Sequence, residues 1–240
     1  HSRSPANREY GLARLRELAS RLEAATGQAA TEDRLRAAVS TTNRQRAAIN
    51  RVLEARRDPA SGITGVEAMT AIGAGRFLDP LRHTELLDAW LGETRQPPGG
   101  RPRVVLAAGV SLSDIRVHEA LEAGGAVVAA EDDAWGSRAG GALIPEEAAD
   151  ILAAVFDKYY LDVPSPRLAP AAARDEWLRS ELAGDAPDAL VVYVPRSDHW
   201  FGWDYPRLRS LAEAAGVPAL LMRDLEPRLV HDFLVEAVGR

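Results

Sequence analysis

Cysteine is absent from all 240 residues. Within these residues that excludes disulfides, thiolate-bound zinc, a cysteine nucleophile and cysteine-ligated iron–sulfur clusters. No apolar run approaches the roughly 20 residues that a membrane span needs, and no signal peptide opens the chain. A cytoplasmic protein without a membrane partner is expected. Positive charge is not in excess either. The formal charge is −6, and the arginines are spread along helices rather than gathered, which argues against a nucleic-acid partner. Two catalytic signatures are missing as well. Gly109-Val-Ser-Leu-Ser-Asp lacks the Gly-x-Gly-x-x-Gly spacing that brings backbone against a pyrophosphate, and there is no Gly-x-Ser-x-Gly elbow. The chain begins His1-Ser-Arg-Ser-Pro, without an initiator Met, and that start reads as a tag remnant or a cut within a longer chain.

What is present belongs to a globular protein. Hydrophobic residues make up 46%, enough for a real core in one large domain or two small ones. Apolar residues at helical spacing predict helices over 6–25 and 32–55, the first stopped by Gly27 and the second capped by Thr31. Further helices are expected over 64–74, capped by Thr64, and over 80–92. Residues 96–102, Gln-Pro-Pro-Gly-Gly-Arg-Pro, carry Pro and Gly punctuation and no period, so they read as a linker. The helical part is then 1–95 and the remainder 103–240.

Beyond the linker, short β-branched runs alternate with helical patterns. Strands are expected over 103–108, 126–130, 189–194 and 217–222. Helices are expected over 111–123, 145–159, 171–182, from about Pro206, and from Pro227. Such alternation predicts a four-stranded parallel sheet, flavodoxin-like or Rossmann-like, with helices on both faces.

Ligands in open α/β sheets sit outside the carboxyl ends of the strands. Those ends carry Gly109 to Ser111, Glu131 to Trp135 with Arg138 beyond, Arg196 to Trp203, and Arg223 with Asp224. Carboxylates, arginines, a histidine and indole rings together suit a polar, partly anionic ligand. The candidate binding residues are Gly109, Ser111, Trp135, Arg138, Arg196, Ser197, Trp200 and Trp203. The candidate acids and bases are Asp198, His199 and Glu131. Ser197, Asp198 and His199 are sequence neighbours, which seldom take up the geometry of a hydrolytic triad. Glu131-Asp-Asp offers hard oxygen ligands, but successive strand residues point to opposite faces, so no metal site is expected there. His118 and His231 read as packed or capping residues.

The order of these segments resembles the family of 2-hydroxyacyl-CoA dehydratase and benzoyl-CoA reductase subunits. Its pattern is carried by Leu22-Glu-Ala-Ala-Thr-Gly, Asn43-Arg-Gln-Arg, Ser61-Gly-Ile-Thr-Gly, Arg103-Val-Val-Leu-Ala-Ala-Gly, His118-Glu-Ala-Leu-Glu-Ala-Gly-Gly-Ala-Val-Val, Glu131-Asp-Asp-Ala-Trp-Gly-Ser-Arg, Lys158-Tyr-Tyr-Leu-Asp-Val-Pro-Ser-Pro-Arg, the stretch 188–206, and Ala215-Gly-Val-Pro-Ala-Leu-Leu-Met-Arg-Asp. The resemblance implies an α/β fold and an acyl-CoA ligand. It also implies a homologous dehydratase-like subunit as partner in a hetero- or homodimer, and an activator ATPase that delivers one electron. Family members carry a further N-terminal α/β domain and a [4Fe–4S] cluster whose protein ligands are cysteines. Here Ser165 stands in the usual Pro-Cys-Pro position, and Ser197 or Asp198 stands near the cysteine of the loop after the third strand. The expectation is a dehydratase- or reductase-type subunit with no cluster of its own, binding a CoA thioester or supporting a cluster-bearing partner. The alternatives are a cluster-free acid–base enzyme in the same cleft and a non-catalytic interaction module.

Overall fold

The structure, a computed structural model, describes residues 4–97, 99–108, 115–132, 135–161, 171–184, 187–198 and 200–239. Four helices come first. α1 (Pro5–Thr26) starts at Ser4, whose hydroxyl accepts the Asn7 N–H, and ends at Gly27 with φ 68°, where a Cβ would be strained. α2 (Glu32–Arg57) is capped by Thr31. α3 (Gly65–Ala74) has a capping box in which Thr64 and Glu67 each bond the other's backbone N–H. α4 (Pro80–Leu91) is capped by Asp79. Their shared core is Ala48, Ile49, Val52 and Leu53 of α2 against Ala68, Ile72 and Leu87. His83 of α4 is buried there. Its Nε2 lies 2.9 Å from the Ala71 carbonyl and its Nδ1 lies 3.0 Å from Gln45 Nε2, so it ties α4 to both neighbours.

The sheet follows: β1 (Arg103–Ala108), α5 (Arg116–Ala123), β2 (Val127–Asp132), α6 (Ile151–Leu161), α7 (Ala171–Ala183), β3 (Ala189–Tyr193), α8 (Tyr205–Ala214), β4 (Ala219–Met222) and α9 (Pro227–Val238). All pairings are parallel, in the order β2-β1-β3-β4, as the alternating pattern predicts. Alternate residues face opposite layers. Val104, Leu106, Val128 and Val191 pack against Val117 and Leu121 of α5, Val230 and Leu234 of α9 and Met69 of α3. Val105, Ala107, Leu190 and Val192 pack against Leu178 and Leu182 of α7 and Leu208 and Ala212 of α8. The helical half packs on the sheet half, α2 touching β2 and α3 touching both α5 and β2.

Several boundaries differ from the sequence expectation: β2 runs on to Asp132, β4 begins only at Ala219, and the largest of these shifts is in α6. α6 begins at Ile151 rather than at 145. The reason is tertiary. Asn43 of α2 grips Ile144, donating to its carbonyl at 2.8 Å and accepting its N–H at 2.9 Å. Arg36 of α2 donates to the carbonyls of Glu146 and Ala148. With those groups engaged by α2, the helix starts only where Asp150 can cap Ala153 N at 2.9 Å.

Candidate functional site

The strand order reverses between β1 and β3, the place where an open α/β sheet leaves a crevice at its carboxyl edge. Residues 109–114, which follow β1, lie outside the described residues, so the candidates Gly109 and Ser111 have no structural account. His199 lies outside them too. The other candidates fall into two corners, one after β2 and one after β3. With β1 between them, these corners are separated by two strand spacings, roughly 10 Å.

At the end of β2, Glu131 is fully buried. Its carboxylate is ion-paired with Arg56 of α2, also fully buried. His118 Nε2 lies 3.8 Å away, and the Ser137 N–H donates to Oε1 at 3.0 Å. The Ser137 hydroxyl donates to the Glu131 carbonyl, tying Ser137 back to the end of the strand. Gly136 makes this possible, because a Cβ there would overlap the carboxylate. Burial pushes the Glu131 carboxyl up, but the Arg56 charge and the His118 and Arg56 contacts together outweigh it and hold the group at about 2. Glu131 is therefore an anion and an acceptor at any ordinary pH.

Next to it, Asp132 accepts from Arg138 Nε at 2.7 Å. Trp135 sits half-buried, its ring 6.1 Å from that of Phe77 and 5.6 Å from the Arg76 guanidinium. Between α2, this loop, α6 and α7 lies a cleft of about 530 Å³. Asn50, Asp132, Ser137, Arg138, Lys158 and Trp177 are among its walls. Arg57, also in the wall, is held by Glu181 at 2.6 Å.

The corner after β3 is built differently. Asp198 is buried, and its Oδ1 accepts the N–H groups of Trp200 at 2.8 Å and Phe201 at 2.9 Å. It thereby shapes the turn into a short 3-10 segment, Phe201–Asp204. Phe201 is buried, and Asp204 accepts from Arg174 of α7 at 2.9 Å. These anchors hold the loop but leave its indoles outside: Trp200 is 85% exposed and Trp203 84%. Arg196 makes a two-pronged pair with Asp224 after β4, both contacts 2.6 Å. Their mutual hydrogen bonds raise the Arg196 guanidinium and lower the Asp224 carboxyl. Ser197 is exposed beside them.

The structure thus brings together Glu131, Trp135 and Arg138 in one corner, and Arg196, Ser197, Asp198, Trp200 and Trp203 in the other. Sequence reasoning missed Arg56, Lys158 and Trp177. A signal for Arg56 exists: Ile49, Val52, Leu53 and Arg56 form one apolar helical stripe that ends in a charge, and a charge on such a stripe needs a buried partner.

The family pattern of the 2-hydroxyglutaryl-CoA dehydratase D-component matches residues 1–224. The chain belongs to that family. No curated protein matches it. The dehydratase resemblance read from the sequence therefore holds across nearly the whole chain.

A family [4Fe–4S] centre would need thiolate ligands, and the residues of this D-component-family chain do not fit it. There is no cysteine. Near the expected ligand position, Asp198 Oδ1 is already committed to two backbone N–H groups. Among the described residues no three His, Asp or Glu side chains converge as a metal site. No helix among the described residues is long and apolar enough to cross a membrane.

Proposed function

We propose that this chain is a subunit of a 2-hydroxyacyl-CoA dehydratase-type system and holds a CoA thioester at the carboxyl edge of its sheet. A homologous, cluster-bearing subunit, served by an activator ATPase, would carry the electron transfer. The observation that supports the binding role is the cleft of about 530 Å³ beside Asp132, Ser137 and Arg138, with Lys158 and the Trp177 ring in its walls. The carboxylates in the same wall, Asp132 and Glu181, are paired with Arg138 and Arg57, and Glu54 lies there too; with Lys158, the hydroxyl and amide donors and the aromatic face, the cleft suits a long ligand with anionic and apolar parts. In this reading Arg138 and Lys158 meet the anionic part, Asn50 and Ser137 orient it, and Trp177 packs the apolar part. No thiolate of this chain's 240 residues takes part.

The acid–base alternative has less to stand on. Glu131 is sealed from solvent and held ionised by Arg56, so it has no proton to give at neutral pH. The Asp198 oxygen that faces the loop is engaged in shaping it.

A second observation favours contact with a partner subunit. Two indoles left in water beside Arg196 form the kind of aromatic and arginine patch that partners cover. Calorimetry with a panel of acyl-CoAs tests the first role. Heat of binding is expected for wild type and a loss of at least about tenfold for Arg138→Gln; no heat with any thioester would overturn it. Mixing with a cysteine-bearing homologous subunit tests the second, since Trp200→Ala with Trp203→Ala is expected to weaken the complex and leave thioester binding intact.

A further inference from the structure

A smaller pocket of about 200 Å³ lies against the larger cleft, and Arg138 and Lys158 line both. Among the described residues that line it, four are cations and none is a carboxylate: Arg46, Arg76, Arg138 and Lys158, with Gln45 and Thr42 as neutral donors. The cations come from four separate places, namely α2, the turn after α3, the loop after β2, and α6. They are distant in sequence, so this is no solvated charge run along one helix. The fold gathers them.

Arg46 carries the argument. It is only 4% exposed, yet its terminal nitrogens donate to neutral groups: Nη1 to Asn43 Oδ1 and Nη2 to Tyr159 OH, both at 3.1 Å. A buried guanidinium is expensive without a counter-charge. Among the described residues the other buried arginines each have one, Arg56 with Glu131 and Arg174 with Asp204, whereas Arg46 is linked to the Glu146 carboxylate only through the Asn43 amide. Arg138 is paired with Asp132, which lines the larger cleft. The missing counter-charge at Arg46 is therefore on something that enters from outside. A planar guanidinium with a lysine and further arginines matches an oxyanion that accepts several hydrogen bonds at once.

We propose that this pocket is a binding site for a phosphate group, seated on Arg46 with Arg76, Arg138 and Lys158 around it. The group is either free orthophosphate or the phosphate monoester end of a larger molecule whose body runs past Arg138 and Lys158 into the adjoining cleft. The site shares Arg138 and Lys158 with the thioester reading but rests on Arg46, and it is tested without any acyl-CoA, so the two can fail separately.

The test is calorimetry of the whole chain at constant ionic strength, with sodium orthophosphate in one arm and ribose 5-phosphate in the other. Saturable one-to-one binding is expected for wild type, at least about tenfold weaker in Arg46→Gln and partly kept in Arg46→Lys. Equal affinity in the two arms identifies the free anion; much tighter binding of the ester identifies a phosphorylated ligand. If Arg46→Gln does not fold, Arg76→Gln takes its place, since Arg76 is exposed and its loss leaves the core untouched. Absence of heat in both arms with wild type, or unchanged affinity in the arginine variants, overturns the site.

Discussion

At the end of β2, a carboxylate, a guanidinium and an imidazole lie wholly inside the protein, the first two ion-paired and the imidazole 3.8 Å from the carboxylate. After β3, two indoles and an arginine lie largely outside it, and the buried Asp198 is spent on shaping the turn. Both corners stand at the same edge of one sheet, and both were read from the sequence as polar strand ends. The difference is what covers them. The helical half lays α2 across the end of β2, and its Arg56 turns an exposed acidic run into an internal ion pair. Nothing among the described helices does the same for β3.

This contrast can be broken most forcefully at Arg56. Arg56→Met leaves Glu131 buried without its counter-charge and is expected to cost about 3–5 kcal/mol of unfolding free energy, read from urea denaturation. A loss below about 1 kcal/mol would mean that water or His118 supports the carboxylate unaided. Replacing both partners with apolar residues, Arg56→Met with Glu131→Met, should cost less than either single change, because no charge is then stranded.

Acid sharpens the same comparison. The folded Glu131 carboxyl is held at about 2, below the roughly 4.3 of an unfolded chain. Its contribution to stability is therefore complete above the unfolded value and drains away as the pH falls from there toward about 2. Denaturation midpoints over that range should drop steeply in wild type and more gently in Glu131→Gln. Parallel curves would refute the assignment.

The β3 corner should yield smaller effects. Asp198→Ala removes the acceptor for two N–H groups and is expected to cost about 1 kcal/mol, with Asp198→Asn recovering much of it, since a side-chain oxygen remains. Smallest of all, Trp200→Ala and Arg196→Ala should leave the denaturation midpoint where it is, while acrylamide quenching of the remaining tryptophan fluorescence falls when Trp200 is removed. A lowered midpoint would show that the loop packs more firmly than its exposure suggests.

The contrast also explains what was legible in the sequence. Strands came through because each is a buried β-branched run between breakers, and local chemistry decides such a run: Ala189–Tyr193 and Arg103–Ala108 needed no distant partner to be recognised. Caps came through for the same reason, as Thr31 and Thr64 act within three residues. The start of α6 did not, because Arg36 and Asn43, more than a hundred residues earlier, decide which backbone groups of 144–148 are free to enter a helix. Glu131 was noticed as chemistry, but its partner is 75 residues away. Nothing in Glu131-Asp-Asp tells whether a carboxylate faces solvent or an arginine on another layer. Exposure of the β3 loop was foreseen only as polarity, and the outward position of its indoles depends on where Phe201 is anchored.

α2 has a consequence of a mechanical kind. Along its 26 residues, about 39 Å of rod, it reaches in turn for the backbone at Ile144 through Asn43, the phosphate-class pocket through Arg46, the loop at Gly141 through Asn50, and the end of β2 through Arg56. Each contact depends on the angular position of its residue, and every residue inserted turns all that follows by about 100°. A single added alanine between Asn43 and Asn50 would swing Arg56 away from Glu131 while changing no existing side chain. In a scan of the gene, this segment should accept many exchanges of one amino acid for another and almost no change in length.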